Sequence, residues 1–301
     1  MDKTDVVLIQ LLLINSRLSY GELAEKLNLS VNAVHKRIQI LIETGVIRKF
    51  TAKLSGLAVN LINVFISGTS QLSTFQDLPD KLKKQGSIYW LSIGGGKYLY
   101  IGAYLRSINE LEQLVSYVKK EAKIAEPTVG IMAVPHMPFF ANSKPADKVL
   151  CDLDYRIVHS LRDNARKPVS DIADELCVSA KTVRRRLTRM MKNGLIELSV
   201  EWYPDASNDI ITLIDLHLKP DIDMSIAYTL LKKYSPNMLF YWAFANIPNI
   251  AVYVVWTPSM KELQNIRENL EKEKDVTAVV PNILYVGYIF NTWRDQLTEK
   301  H

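Results

Sequence analysis

Cysteine is scarce: the 301 residues hold only Cys151 and Cys177, which form no CxxC pair, so a disulfide framework is excluded. Such usage suits a reducing compartment; a cytoplasmic chain is expected, with both thiols as small apolar fillers. Glycine and proline, twelve each, are too few for low-complexity linkers or a collagen-like repeat. Histidine is sparse as well. His35, His136, His159, His217 and His301 show no HxxxH or paired spacing, so neither a metal site nor a cofactor is expected. There is no GxSxG elbow and no Cys and His pair fit for nucleophilic catalysis, and the chain is not read as an enzyme. No run reaches the roughly 18 apolar residues of a membrane helix. The longest, residues 6–14, is broken by Gln10, flanked by Asp2 and Asp5, and followed by Asn15, Ser16 and Arg17 where a signal peptide would carry small residues.

What is present fits a chain folded throughout: 48% hydrophobic and 23% charged residues, with fourteen Tyr, eight Phe and five Trp to furnish several cores. The length suggests about two average domains. A slide of 149 residues shows why, because the stretch from Asp5 to Ile47 then falls without a gap on the stretch from Asp154 to Ile196. Eleven pairs are identical: Asp5 and Asp154, Leu12 and Leu161, Asn15 and Asn164, Arg17 and Arg166, Ala24 and Ala173, Leu27 and Leu176, Ser30 and Ser179, Val34 and Val183, Arg37 and Arg186, Gly45 and Gly194, Ile47 and Ile196. One module is used twice.

Each copy predicts three helices. In the first, the apolar spacing of residues 6–16 and of Leu23, Ala24 and Leu27 gives two short helices. Ser30 then stands where an N-cap belongs, Val34, Ile38, Leu41 and Ile42 form an apolar face, and Gly45 stops the third helix. In the second copy Ser179 is the cap, Val183, Leu187, Met190 and Met191 the face, and Gly194 the stop. A β-rich stretch follows each stop, VIRKFTAKL or LIELSVEWYP, and is expected to be a wing hairpin. Two short helices joined tightly, the second capped and polar outside, is helix-turn-helix geometry.

The remainder of each half reads βαββαβ, the ferredoxin-like order. In the first half this is strand 59–68, helix 72–85, strands within 88–105 around Gly94, Gly95 and Gly96, helix 108–122 and strand 129–134. In the second it is strand 210–218, helix 225–234, strands 239–245 and 250–256, helix 260–272 and strand 277–289. The expected organisation is an α+β chain: winged helix-turn-helix 1–55, ferredoxin-like module 56–137, linker 138–152, winged helix-turn-helix 153–203 and ferredoxin-like module 204–301.

Charge follows these divisions. Residues 1–55, 56–149 and 153–203 each carry net +3, whereas 204–301 carries −3, so the overall +5 is a remainder. On the first recognition helix Val31, Asn32, His35, Lys36 and Gln39 point away from the apolar face; on the second Ala180, Lys181, Arg184, Arg185 and Thr188 do. Lys181, Arg184, Arg185, Arg186, Arg189 and Lys192 put six cations and no acid into that second helix. Contact with nucleic acid is therefore favoured over a salt-bridged solvent face. Arg185 and Lys181 are expected nearest the bases, with Arg37 and Arg186 beside the phosphates.

A helix-turn-helix running through GVIRKFTAKL into a βαββαβ module resembles the Lrp/AsnC family of prokaryotic transcription regulators; SVNAVHKRIQILIETGVIRKF and SAKTVRRRLTRMMKNGLIE are similar to its recognition helix and wing. The resemblance implies a sequence-specific regulator of double-stranded DNA. In that family two chains pair through their α+β modules, so a tandem chain implies an intramolecular pseudo-dimer, with two non-identical readers and an asymmetric or pseudo-palindromic site. The resemblance also implies an amino-acid-like effector near the turn between the second and third strands. That turn offers Gly94, Gly95, Gly96 and Lys97 without the typical Asp, and a hairpin turn needing positive φ explains it as well. Two alternatives stand beside this reading. Sirohaem decarboxylases are similar in fold and are expected to use His and Arg in the α+β core, and an assembly protein with degenerate helix-turn-helix units would need no basic helix.

Overall fold

The computed structural model describes residues 1–133 and 149–299, so most of the expected linker lies outside the described residues. The first helix-turn-helix is α1 (Lys3–Ile14), α2 (Tyr20–Leu27) and α3 (Val31–Glu43), followed by β1 (Ile47–Leu54). Next come α4 (Gly56–Val59), β2 (Ile62–Thr69), α5 (Leu78–Lys83), β3 (Ile88–Gly94), β4 (Tyr98–Leu105), α6 (Leu111–Ala122) and β5 (Thr128–Ile131). The second half repeats the order as α7 (Asp152–Leu161), α8 (Val169–Leu176), α9 (Ala180–Lys192), β6 (Ile196–Trp202), β7 (Ile210–Leu218), α10 (Ser225–Lys233), β8 (Met238–Ala243), β9 (Ile250–Thr257), α11 (Met260–Glu271) and β10 (Val276–Ile289), ending in α12 (Trp293–Gln296). The helix expected over 72–85 is shorter because Pro79, which lacks an N–H, fits only a first turn and fixes the start at Leu78.

The described residues divide into two compact units. One gathers 7–61, 149–206 and 292–299, which hold both helix-turn-helix copies; the other gathers 1–6, 62–133 and 207–291, which hold both α+β modules.

Within the α+β unit one eight-stranded sheet runs β5-β2-β4-β3-β10-β7-β9-β8. Each quartet has ferredoxin-like order, and the two join where β3 and β10 pair antiparallel, Gly94 opposite Leu284 and Trp90 opposite Ile289. The end strands also meet: Met132 bridges Phe244, the Ala245 N–H donates to Ile131 O at 2.8 Å and the Ala133 N–H to Ala243 O at 3.0 Å. The contact involves only the last residues of β5 and β8 and those just after them, and the two remain the end strands of the sheet. One face of each quartet is covered by its helices. Val64, Ile66, Leu91, Leu99 and Ile101 pack under Leu82, Leu114 and Val118; Ile214, Leu216, Tyr253 and Val255 pack under Leu230, Leu263 and Ile266. The opposite faces meet through aromatic rings, with Phe65 at 5.3 Å from Trp242 and 5.4 Å from Phe244, and Trp90 at 5.4 Å from Trp242.

Within the helix-turn-helix unit the expected wing hairpins do not form. β1 and β6 instead pair with each other antiparallel, Leu54 opposite Ile196 and Phe50 opposite Val200, so each copy supplies one wing strand to a shared two-stranded sheet. An isolated strand must find a partner for its backbone groups, and the duplicated strand is the available one. Arg17 donates to Ala165 O at 2.6 Å and Lys167 O at 3.0 Å, and Arg166, its counterpart in the repeat, donates back to Leu18 O. Burial presses both guanidinium groups below the usual arginine range, and the charge of Arg166 adds to this at Arg17. Arg166 also lies over Tyr20 and Phe50, 4.7 and 5.1 Å from their ring centroids. The final segment braces the same small sheet, with Asp295 to Lys53 at 2.7 Å and Arg294 to Glu197 at 3.0 Å.

The cysteines are exposed rather than apolar filler. Cys151 is the N-cap of α7, and Cys177 ends α8 in the left-handed region with φ 54°. Both thus stand at helix ends rather than on packed helix faces.

Candidate DNA-binding surface

Both recognition helices are built alike. The Ser30 hydroxyl accepts from the Ala33 N–H and the Ser179 hydroxyl from the Thr182 N–H, satisfying an N–H that the first turn leaves without a helical acceptor. Gly45 and Gly194, with φ +77° and +62°, end them in the region that favours glycine. Val34, Ile38 and Leu41 are buried on α3, and Val183, Leu187 and Met190 on α9. The expected inner faces lose one member each. Ile42 and Met191 are 37% and 38% exposed, because the last of the four apolar positions on each helix lies further around it than its packed side.

Asn32, His35, Lys36 and Gln39 are exposed on α3 and Arg37 is half-buried; Gln39 donates to Glu43 at 3.2 Å, and the His35 ring lies 5.1 Å from Tyr20. On α9 Lys181, Arg184, Arg185, Thr188 and Lys192 are exposed, with no ion-pair partner among the described residues for the four cations. Arg186 and Arg189 are placed differently. Both turn toward Asp154 of α7, Arg186 Nη1 reaching Oδ1 at 3.3 Å and Arg189 Nη2 reaching Oδ2 at 2.6 Å. The expectation that α9 lacks an acidic partner is therefore corrected. The acid lies outside the helical run, on a neighbouring helix, beyond the reach of a count along one segment. A sequence signal existed, since Asp154 and Arg186 both belong to pairs kept identical with Asp5 and Arg37.

The turn from Gly94 to Lys97 is engaged by its own unit. The Gly95 N–H donates to Asn282 Oδ1 at 2.7 Å, Asn282 Nδ2 donates to Gly95 O at 3.4 Å, and Lys97 Nζ donates to Leu72 O at 3.0 Å. A Cβ on Gly94 would lie 2.3 Å from Asn282 Oδ1, so the close approach itself requires glycine there. The matching turn of the second module is held in the converse manner. Asn246 accepts from the Ile131 N–H at 2.7 Å and donates to Val129 O at 2.8 Å.

With this geometry in view, the matches to known proteins fall on the same segments. The winged helix-turn-helix DNA-binding family matches residues 1–48 and the AsnC-type helix-turn-helix domain matches residues 151–191. An uncharacterized HTH-type transcriptional regulator of Pyrococcus furiosus is 32% identical over 124 residues, 40% of this chain and 84% of the relative. The chain belongs to the Lrp/AsnC family. The HTH-type transcriptional regulator LrpA of Pyrococcus horikoshii, 25% identical over 118 residues, covers 38% of this Lrp/AsnC chain and is itself covered to 84%. Each of these relatives thus spans less than half of the chain, as a tandem duplication of an Lrp/AsnC unit requires. The crystal structure of the siroheme decarboxylase NirDL shares the fold over 99% of this chain and 98% of its own, with a TM-score of 0.63 at 11% identity. The chain is a DNA-binding transcriptional regulator of Lrp/AsnC type.

Proposed function

We propose that one chain reads an asymmetric double-stranded site, with α9 as the electrostatic anchor and α3 as the second reader. The carrying observation is the pairing of both helix-turn-helix copies in one unit through β1 and β6, which supplies two recognition helices without a second chain. Their exposed residues differ at equivalent positions: Lys181 for Asn32, Arg184 for His35, Arg185 for Lys36 and Thr188 for Gln39. Early-helix positions meet base edges in the major groove, and a bidentate arginine contact to guanine discriminates by about 1 to 3 kcal/mol. Control by a ligand at Gly94–Lys97 forms no part of this reading, because Asn282 already occupies the Gly95 backbone groups.

Selection of binding sites from random duplex DNA, followed by mobility shifts at fixed salt, tests it. The expected site is asymmetric. Arg184→Ala and Arg185→Ala should each weaken binding more than His35→Ala, by about 1 to 3 kcal/mol where a base contact is lost. A perfect palindrome bound by a single chain, or equal losses across the series, would overturn the asymmetric reading.

A further inference from the structure

Six cations stand on one recognition helix, and undirected positive charge strengthens binding to any DNA. Asp154 bears on this charge. It sits at the third position of α7 and is fully buried, whereas its partners Arg186 and Arg189 have side chains 26% and 39% exposed. Both carboxylate oxygens are in use. Oδ1 takes Arg186; Oδ2 takes Arg189 and also the Cys151 N–H at 2.9 Å. Arg186 Nη1 further donates to Cys151 Sγ at 2.8 Å, which fixes its direction toward the start of α7. The two arginines stand three residues apart, one helical turn, so a single carboxylate reaches both. Lys181, Arg184, Arg185 and Lys192 are exposed and form no ion pair with it.

We infer that Asp154 is a specificity-determining positioning residue, which holds Arg186 and Arg189 away from DNA phosphates and so limits the sequence-independent pull of α9. The inference rests on the DNA-binding reading. A carboxylate placed in this way lowers affinity for arbitrary duplex while leaving Lys181, Arg184 and Arg185 to contact the site. The first reader shows the same economy by composition: the repeat puts Ile40 where Arg189 stands and Glu43 where Lys192 stands.

The full chain is titrated with a short duplex of random sequence over a series of salt concentrations. Asp154→Asn keeps the side-chain shape and one acceptor but removes the charge. It should tighten random-duplex binding at low salt and steepen the slope of log affinity against log salt by about 0.9 for each arginine released, so by up to about two. The double variant Arg186→Gln with Arg189→Gln should keep the wild-type slope, and adding Asp154→Asn to that background should leave the slope unchanged. An Asp154→Asn slope equal to or shallower than wild type in a folded protein overturns the inference. So does a double variant whose slope falls by about two, since the arginines would then already contact phosphates. The double variant decides the matter alone if Asp154→Asn does not fold. Wild-type protein that binds no duplex at low salt would instead overturn the DNA reading beneath it.

Discussion

The two recognition helices, α3 and α9, share a scaffold and differ in what they present. Each begins at a serine cap, buries three apolar residues at matched positions and stops at a glycine of positive φ. Outside that frame, α3 exposes Val31, Ile40 and Ile42 beside only two cations, whereas α9 carries six cations and needs a buried carboxylate beneath two of them. Positions that set the fold are thus separable from positions that set the partner, because burial constrains the first set and solvent or DNA the second. A reader can acquire charge without a change of framework, provided that the surplus finds a counter-ion.

If the frames are equivalent, matched core truncations should cost alike. Ile38 and Leu187 are counterparts, 1% and 4% exposed. Ile38→Ala and Leu187→Ala should each destabilise by about 2 to 5 kcal/mol, the sum of lost transfer energy and the cavity left behind. Urea unfolding measures this. Losses differing by more than twofold would mean that the copies fold with unequal cooperativity and would break the comparison at its base.

The helix order, caps and stops were legible because they follow from local spacing: a Ser before a periodic apolar run and a Gly after it place a helix without long-range knowledge. What could not be read is pairing between copies. Nothing local in IRKFTAKL says that it joins IELSVEW rather than folding back, since either partner satisfies the same backbone groups. The Asp154 counter-ion lies within one copy but 32 and 35 residues from its arginines, so a count along the helix misses it, and only the identity of Asp154 and Arg186 with Asp5 and Arg37 hints at it. The reciprocal donation by Arg17 and Arg166 was visible only as an identity within the repeat.

The two α+β modules offer a second contrast. The sixth residue of β2 is Ser67 and the sixth of β7 is Asp215. Ser67 accepts from the Tyr98 hydroxyl at 3.3 Å, whereas Asp215 Oδ1 is buried without a partner, and burial pushes the Asp215 carboxyl up to about 6 from 3.8. A carboxyl that binds its proton more tightly in the folded chain costs nothing below its unfolded value; stability is then lost as pH rises from about 4 through 6. The ceiling on that loss is about 3 kcal/mol at neutral pH. Asp215→Asn should therefore raise stability at pH 7 by up to that amount and flatten the profile between pH 4 and 6. Denaturation of both proteins across that range tests the assignment, and parallel profiles would remove Asp215 as the source.

The smallest effect concerns the turns that clasp the two modules together. Lys97 precedes β4 with φ 62° and Asn249 precedes β9 with φ 63°, so equivalent corners adopt the same left-handed conformation with different residues. Asparagine tolerates that region better than lysine, because its short polar side chain can hydrogen-bond locally. Lys97→Asn should thus gain a few tenths of a kcal/mol in backbone preference, set against the loss of the exposed Lys97 bond to Leu72 O, a contact of similar size. Thermal unfolding of Lys97→Asn beside Lys97→Met separates the two, since Met loses the bond and gains no backbone relief. Asn should stand above Met, and Met below wild type. If Asn and Met fall equally, the Lys97 ammonium outweighs its backbone strain, and the two corners reach one geometry by different means.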